Sequence, residues 1–201
     1  MTRVTADMSV SLDLVGAGHD QSAEHPFGPG VGERLHTWML TWMFEHADDH
    51  REEIAGITAA GAYVMGRHMF GPDRGEWDLS WSGWWGPEPP YHAPVFVLGH
   101  REREPLEMAA GTTFHFVTGG IEAAVERAKA TAGGADVAIA GGPSTLNAAL
   151  AAGVVDELRL HVVPFTLGDG LRVFDGVPDV ALVPVAARAT RHVTHLTWRR
   201  G

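Results

Sequence analysis

The residues best suited to chemistry are short glycine-bearing turns that follow apolar runs. Gly141-Gly142 follows the apolar run 137–140 and precedes Pro143, Ser144 and Thr145. Proline suits the first turn of a helix, where its missing N–H would be unsatisfied anyway. Gly153 suits the residue just past a helix end. The stretch 136–164 therefore reads strand, tight turn, helix, strand. It aims backbone N–H groups and a positive helix end at the space above Gly141 and Gly142, a place that favours phosphate. Three other runs end in related turns: Gly66-Arg67 after 61–65, Gly99-His100-Arg101 after 95–98, and Thr118-Gly119-Gly120 after 112–117. Arginine offers a planar set of donors to phosphate or carboxylate. A single Gly-Arg pair says little, but four phosphate-compatible strand ends form one constellation. Asp13 closes the first polar–apolar alternation. It is either a capping or turn aspartate, or an acid in a partly apolar site whose raised pKa lets it donate a proton.

These turns need a scaffold. Residues 2–14 alternate as a strand, with Val4, Ala6, Met8 and Val10 on one face. A glycine-rich loop, 16–32, follows. Residues 33–46 carry Leu35, Trp38, Met39, Trp42 and Met43 at helical spacing, either as a core-facing stripe or with Trp38 or Trp42 lining a pocket. Asp48 can cap a second helix to about residue 60. Residues 71–94 hold four of the seven tryptophans without helical or strand period. They read as a loop packed by its own aromatics, or as an apolar substrate wall to which Trp77 would contribute. Strand and helix then alternate over 95–152, which predicts a mostly parallel sheet flanked by helices. Residues 180–187 and 190–199 predict a C-terminal antiparallel hairpin. Ligands bind at the carboxyl ends of strands in such sheets, where all four turns fall. The Rossmann G-x-G-x-x-G and the P-loop motif are absent.

At 201 residues and 45% hydrophobic, the chain suits one globular domain, 1–201. The formal charge of −10 argues against nucleic acid as the main partner. No apolar run reaches the roughly 20 residues of a membrane span, and the first residues lack the apolar core of a signal peptide. These features predict a cytoplasmic protein. The absence of cysteine excludes disulfides and thiolate metal sites.

Twelve histidines are many for this length. His46 and His50 are four apart but lack the glutamate of H-E-x-x-H, so a solvated helix end is the favoured reading over zinc. His192 and His195 read as opposite faces of one strand, which defeats chelation. His115 and His161 read as satisfied strand residues, and no metal centre is expected. Ser144 lacks the G-x-S-x-G setting of a hydrolase.

Taken together, Gly66-Arg67, Gly141-Gly142, Ser11-Leu12-Asp13, the stretch VDEL followed by LHVVP at 155–164, and LGDGLRVF at 167–174 carry a resemblance. The chain resembles the dihydrofolate reductase-like family that includes the C-terminal reductase domain of bifunctional riboflavin-biosynthesis proteins. The likeness covers nearly the whole chain and is closest to stand-alone bacterial members with a Trp-rich loop. It implies a three-layer dihydrofolate reductase-like α/β fold, a homodimer, and NADPH as hydride donor to a small, cyclic C=N or C=O substrate. By position, Gly66 and Arg67 would contact the adenosine-side phosphates. Leu98, Gly99, His100 and Arg101 would flank the adenine end. Thr118 would lie near the ribose or diphosphate. Ala140, Gly141, Gly142, Pro143, Ser144 and Thr145 would hold the pyrophosphate, and Ala6 would border the nicotinamide. Ser11, Trp38 and Trp77 would face substrate, and Asp13 would orient it or relay a proton. The sequence departs from the riboflavin enzymes where Leu14 and Val15 follow Asp13 in place of Gly and Lys, and where Ala140 stands in place of a Glu. A non-catalytic nucleotide- or small-ligand-binding protein on the same fold is the alternative reading.

Overall fold

The computed structural model describes residues 2–201. In chain order the elements begin with β1 (Val4–Val10), β2 (Val15–Ala17) and α1 (Val31–Leu40), which continues into a wide-turned segment, Thr41–Glu45. Next come α2 (Arg51–Thr58), β3 (Ala62–Gly66), the single turn α3 (Arg67–Phe70), β4 (Pro94–Leu98), β5 (Leu106–Glu107) and β6 (Thr113–Val117). The chain ends with α4 (Gly120–Thr131), β7 (Val137–Ile139), α5 (Pro143–Ala151), β8 (Glu157–Val162), β9 (Leu171–Arg172), β10 (Leu182–Ala189) and β11 (Thr194–Arg200). Nine strands form one sheet in the order β10-β11-β8-β1-β7-β3-β4-β6-β5, and β2 pairs with β9 separately. The run β8-β1-β7-β3-β4-β6 is parallel throughout. Strands β10, β11 and β5 pair antiparallel.

The mixed sheet, the flanking helices and the terminal hairpin agree with the sequence-based fold. The Trp-rich stretch between α3 and β4 contains no helix or strand, also as expected. The short β5 was not anticipated, because two residues carry no readable period.

Packing follows the alternation of β1. Val4, Ala6, Met8 and Val10 join Leu158 and Leu160 of β8 in a core that also takes Ala124, Val125 and Ala128 of α4 and Leu146 and Ala149 of α5. The intervening residues Asp7 and Ser9 pair with Arg159 and His161 of β8. Their side chains leave the opposite face of the sheet, toward α1 and α2. On that side Leu35 and Trp42 are fully buried while Trp38 is half-buried, so the helical stripe is a core face.

A second apolar cluster decides between the two readings of the Trp-rich loop. Trp77, Trp81, Trp85 and Tyr91 pack on Phe70, Val95, Phe114 and Phe116. Trp77, Trp81 and Trp84 donate their indole N–H groups to the carbonyls of Arg101, Phe70 and His68. These half-buried indoles are held in place at both their rings and their N–H groups. The loop is thus a miniature core over the β4–β6 end of the sheet.

Candidate functional site

Because β1, β7, β3, β4 and β6 run parallel, their carboxyl ends share one edge. This edge brings together Ser11 and Asp13, Ala140 to Gly142, Gly66-Arg67, Gly99 to Arg101, and Thr118. The β7 and β3 turns touch directly: the Gly66 N–H donates to the Gly141 carbonyl (3.3 Å). A Cβ at Gly66 would overlap Thr145 Oγ1 of α5, so glycine is required for helix and strand to approach this closely. Gly141 has φ +106°, where other residues are strained. The Gly141–Gly142 peptide is cis. Pro143 occupies the first turn of α5, as the sequence predicts. Among the described residues nothing lies within 4 Å of the position a Gly142 Cβ would take, so the start of α5 faces open space.

Beside this turn lies a cavity of about 320 Å³ lined by Arg67, His68, Arg74, Gly75, His100 and Arg101. Its cations are engaged to different degrees. Arg67 donates through Nε, Nη1 and Nη2 to the carbonyls of Asp73, Gly75 and Glu76 at 2.7–2.8 Å, and its guanidinium lies 3.9 Å from the Trp77 ring centre. Arg101 is paired with Glu76. Arg74 donates only Nε, to His68 Nε2 at 2.8 Å, which leaves its terminal nitrogens for an incoming group. Burial, and then the charges of Arg74 and Arg67, push the His68 pKa down. Arg67, expected to grip phosphate, therefore acts first as the fastener of the 73–76 loop. Arg74, which sequence reasoning passed over, is the least engaged guanidinium. The signal was present in GPDRG, where an arginine sits between turn residues.

Several expected site residues take other parts. Asp13 accepts from Ser11 Oγ (2.6 Å), Gly168 N (2.8 Å) and Leu167 N (3.0 Å), and Arg172 Nη2 lies 3.5 Å away. The Ser11 hydroxyl, then the Leu167 N–H, hold the carboxyl well below the usual range. The expectation of a raised pKa and a proton donor is corrected here, since hydrogen bonds stabilise the carboxylate more than its apolar neighbours destabilise it. Ser11 is fully buried and orients Asp13, so it does not face a substrate. Ala6 has no exposed surface and sits mid-strand between Ile139 and Leu158, so it cannot border a nicotinamide. Trp38 donates to the His192 carbonyl (2.8 Å) and meets Phe165 edge-on. Trp77 lies beneath Arg67 and donates to Arg101. Leu98 and Ala140 are half-buried, and His100, Thr118 and Ser144 are exposed at the site edge.

Two histidine readings are also overturned. His50 is fully buried, not part of a solvated helix end, and its Nδ1 lies 2.8 Å from His195 Nε2. His192 lies in the turn before β11, so it and His195 are not opposite faces of one strand. The contacting pair is 145 residues apart in sequence, beyond any local pattern.

Comparison with known proteins agrees with this architecture. The RibD C-terminal domain family matches residues 2–196. Among solved structures, a provisionally assigned riboflavin biosynthesis protein from Shewanella sp. PV-4 is 18% identical with a TM-score of 0.65, covering 100% of this chain and 99% of that one. A pyrimidine reductase-like protein from Corynebacterium diphtheriae is 15% identical with a TM-score of 0.54, covering 99% and 92%. A bifunctional diaminohydroxyphosphoribosylaminopyrimidine deaminase/5-amino-6-(5-phosphoribosylamino)uracil reductase from Thermotoga maritima is 15% identical with a TM-score of 0.58. The chain is covered fully in that comparison but spans only 57% of the longer protein. At these identities the structures share the fold. No curated protein matches by sequence. With a match over nearly its whole length, the chain belongs to the RibD C-terminal domain family.

Proposed function

We propose that the protein is a reductase that uses NADPH to reduce a small, cyclic C=N or C=O substrate. The observation that carries this reading is the joined turn of β3 and β7 with an open helix start beside a cavity bearing three arginines. The start of α5, with its N–H groups and positive dipole end, suits a pyrophosphate. Arg74, backed by Arg101 and by His100 at the rim, suits a terminal 2′-phosphate, because a guanidinium with free Nη atoms gives paired charge-assisted hydrogen bonds. Bound there, the cofactor would supply a hydride to the unsaturated carbon of the substrate, whose nitrogen or oxygen then takes up a proton. The chain's own residues do three things. Arg67 and Trp77 hold the 73–76 loop against the cavity, Gly66 lets α5 close on β3, and Asp13 fixes the 167–172 turn beside the end of β1. The family supports a reductase related to riboflavin synthesis. The absence of the expected Glu at Ala140 and of Lys after Asp13 supports a substrate less polar than a phosphorylated aminopyrimidine.

Titrating NADPH into the protein while following nicotinamide fluorescence tests the cofactor. Saturable binding is expected, weaker for NADH; no binding of either would end the proposal. A hydride-transfer screen over pterins, flavin precursors and cyclic imines tests the reaction. The saturated carboxylate of Asp13 favours a second reading, a nucleotide-binding protein without turnover. NADPH affinity with no turnover across the screen would select it. The proposal includes a homodimer formed through β10, the outer strand of the sheet, whose Val183 and Val185 are about half exposed. An unpaired strand edge is a template for a second copy. Sedimentation would read a dimer, and Val183→Lys would shift it to monomer. No helix is long and apolar enough to cross a membrane among the described residues; the cytoplasmic location is part of the proposal.

A further inference from the structure

On the sheet face opposite α4 and α5, His161 of β8 and His195 of β11 are directly paired in register. Their Nδ1 atoms lie 2.7 Å apart. His195 Nε2 continues the chain to His50 Nδ1, 2.8 Å away, at the start of α2. Glu53, one turn into α2, brings Oε1 to 3.8 Å from the same His195 Nε2. Trp42 covers the three imidazoles, with ring centres at 4.9–5.4 Å. One nitrogen each of His50 and His195 and one oxygen of Glu53 lie within 4.8 Å of one another.

We propose that His50, Glu53 and His195 form a binding site for a divalent ion of the Zn²⁺ type, which clamps the start of α2 to β11. The donor set is two imidazoles and a carboxylate, the set that suits zinc and its neighbours over Mg²⁺ or Ca²⁺. Three protein ligands leave a fourth position for water. Tetrahedral bonds of about 2.0–2.1 Å set ligands roughly 3.3 Å apart, so His50 and His195 part by about half an ångström while the Glu53 oxygen, 3.8 Å from His195 Nε2, closes toward them.

The hydrogen-bond chain behind the site accommodates an ion. The two contacts in series use four of the six imidazole nitrogens and leave one at each end of the chain. His50 Nε2 and His161 Nε2 are indeed buried without partners. With an ion on His195 Nε2, the His195 proton sits on Nδ1 and is donated to His161 Nδ1. The His161 proton then sits on Nε2, directed at Asp7 Oδ1, 3.6 Å away. His161 thus stands behind the ligand His195 as its hydrogen-bonded outer support. Arg188 grips Glu53 through Nε and Nη2 at 2.8 and 2.6 Å, using one lone pair of each oxygen and fixing the carboxylate plane. His192, beside the cluster, stacks on His46 at 4.0 Å.

The test uses untagged, full-length protein stripped with a chelator and titrated with Zn²⁺ alone by calorimetry. One equivalent is expected to bind in the micromolar range or tighter and to raise the thermal midpoint, whereas Mg²⁺ does neither. Co²⁺ in place of Zn²⁺ is expected to give the intense visible absorption of a four-coordinate site. Glu53→Gln and His195→Gln should each weaken binding by about tenfold or more. His115→Gln, near the far edge of the sheet, should retain it. Circular dichroism and melting establish that each variant is folded. Should His195→Gln not fold, Glu53→Gln alone decides the matter. Absence of one-to-one Zn²⁺ binding, or equal binding by Glu53→Gln, would overturn the site and leave a purely hydrogen-bonded histidine chain.

Discussion

Replacing Asp13 with asparagine separates the two parts this residue could play. The carboxylate is about one-quarter exposed and accepts three short hydrogen bonds, two of them from the backbone of residues 167 and 168. Asparagine keeps one acceptor oxygen for Ser11 and Leu167. Its NH₂ group then confronts the Gly168 N–H and Arg172, donor against donor. A hydrogen bond to a charged group contributes about 1.5–3 kcal/mol. With one such bond lost, the Arg172 attraction weakened and some solvent access, the cost is about 2–3 kcal/mol. For a domain of this size each kcal/mol moves the thermal midpoint by about 2–4 °C, giving a fall of about 4–12 °C at neutral pH. The pH dependence has a definite sign. A carboxylate whose pKa is depressed on folding contributes stability above its unfolded value of about 3.9, and that contribution is lost as pH falls below it. The gap between the native protein and Asp13→Asn should therefore hold steady from pH 7 to 5 and narrow below about pH 4. Melting curves across this range, with turnover measured on the same samples, provide the assay. An unchanged midpoint with turnover reduced by about 10²–10⁴ would refute the reasoning and restore Asp13 as the proton donor.

Other expectations follow from the same geometry. Arg74→Ala should weaken NADPH by about tenfold and NADH far less, since it removes one charge-assisted contact. Arg67→Ala, which frees the 73–76 loop, should weaken both nearly equally; equilibrium titrations with the two cofactors distinguish the cases. Gly66→Ala should destabilise by about 1–3 kcal/mol through its overlap with Thr145 Oγ1, and adding Thr145→Ala should restore most of that in urea unfolding. His50, His68 and His195 all have pKa values lowered chiefly by burial. The unfolded chain then binds more protons below about pH 6.5, so stability should fall as pH drops from 7 toward 5. A midpoint that stays flat over that interval would show that these rings are not held neutral.

The glycine turns, the short buried strands and α5 were legible because local rules write them. Proline at the first turn of α5, the apolar run of β7 and the helical spacing of Leu35 and Trp42 each act within a few residues. The edge on which the turns meet was legible too, because parallel strands put their carboxyl ends together. What each side chain does there was decided by contacts from afar. Asp13 meets donors 154 and 155 positions later, which turns a candidate acid into a fixed carboxylate. Arg67 spends its nitrogens on carbonyls of a loop that gives no sequence signal for its path. His50, Glu53, His161 and His195 come from α2, β8 and β11, and only the register of β8 against β11 and the packing of α2 on the sheet bring them together. Sequence by itself determined the family fold and the line of anion-compatible turns, since hydrophobic period and turn chemistry are local. Tertiary structure alone decided which charged groups are already satisfied and which remain free to bind, because a hydrogen bond depends on distance in space and not on spacing along the chain.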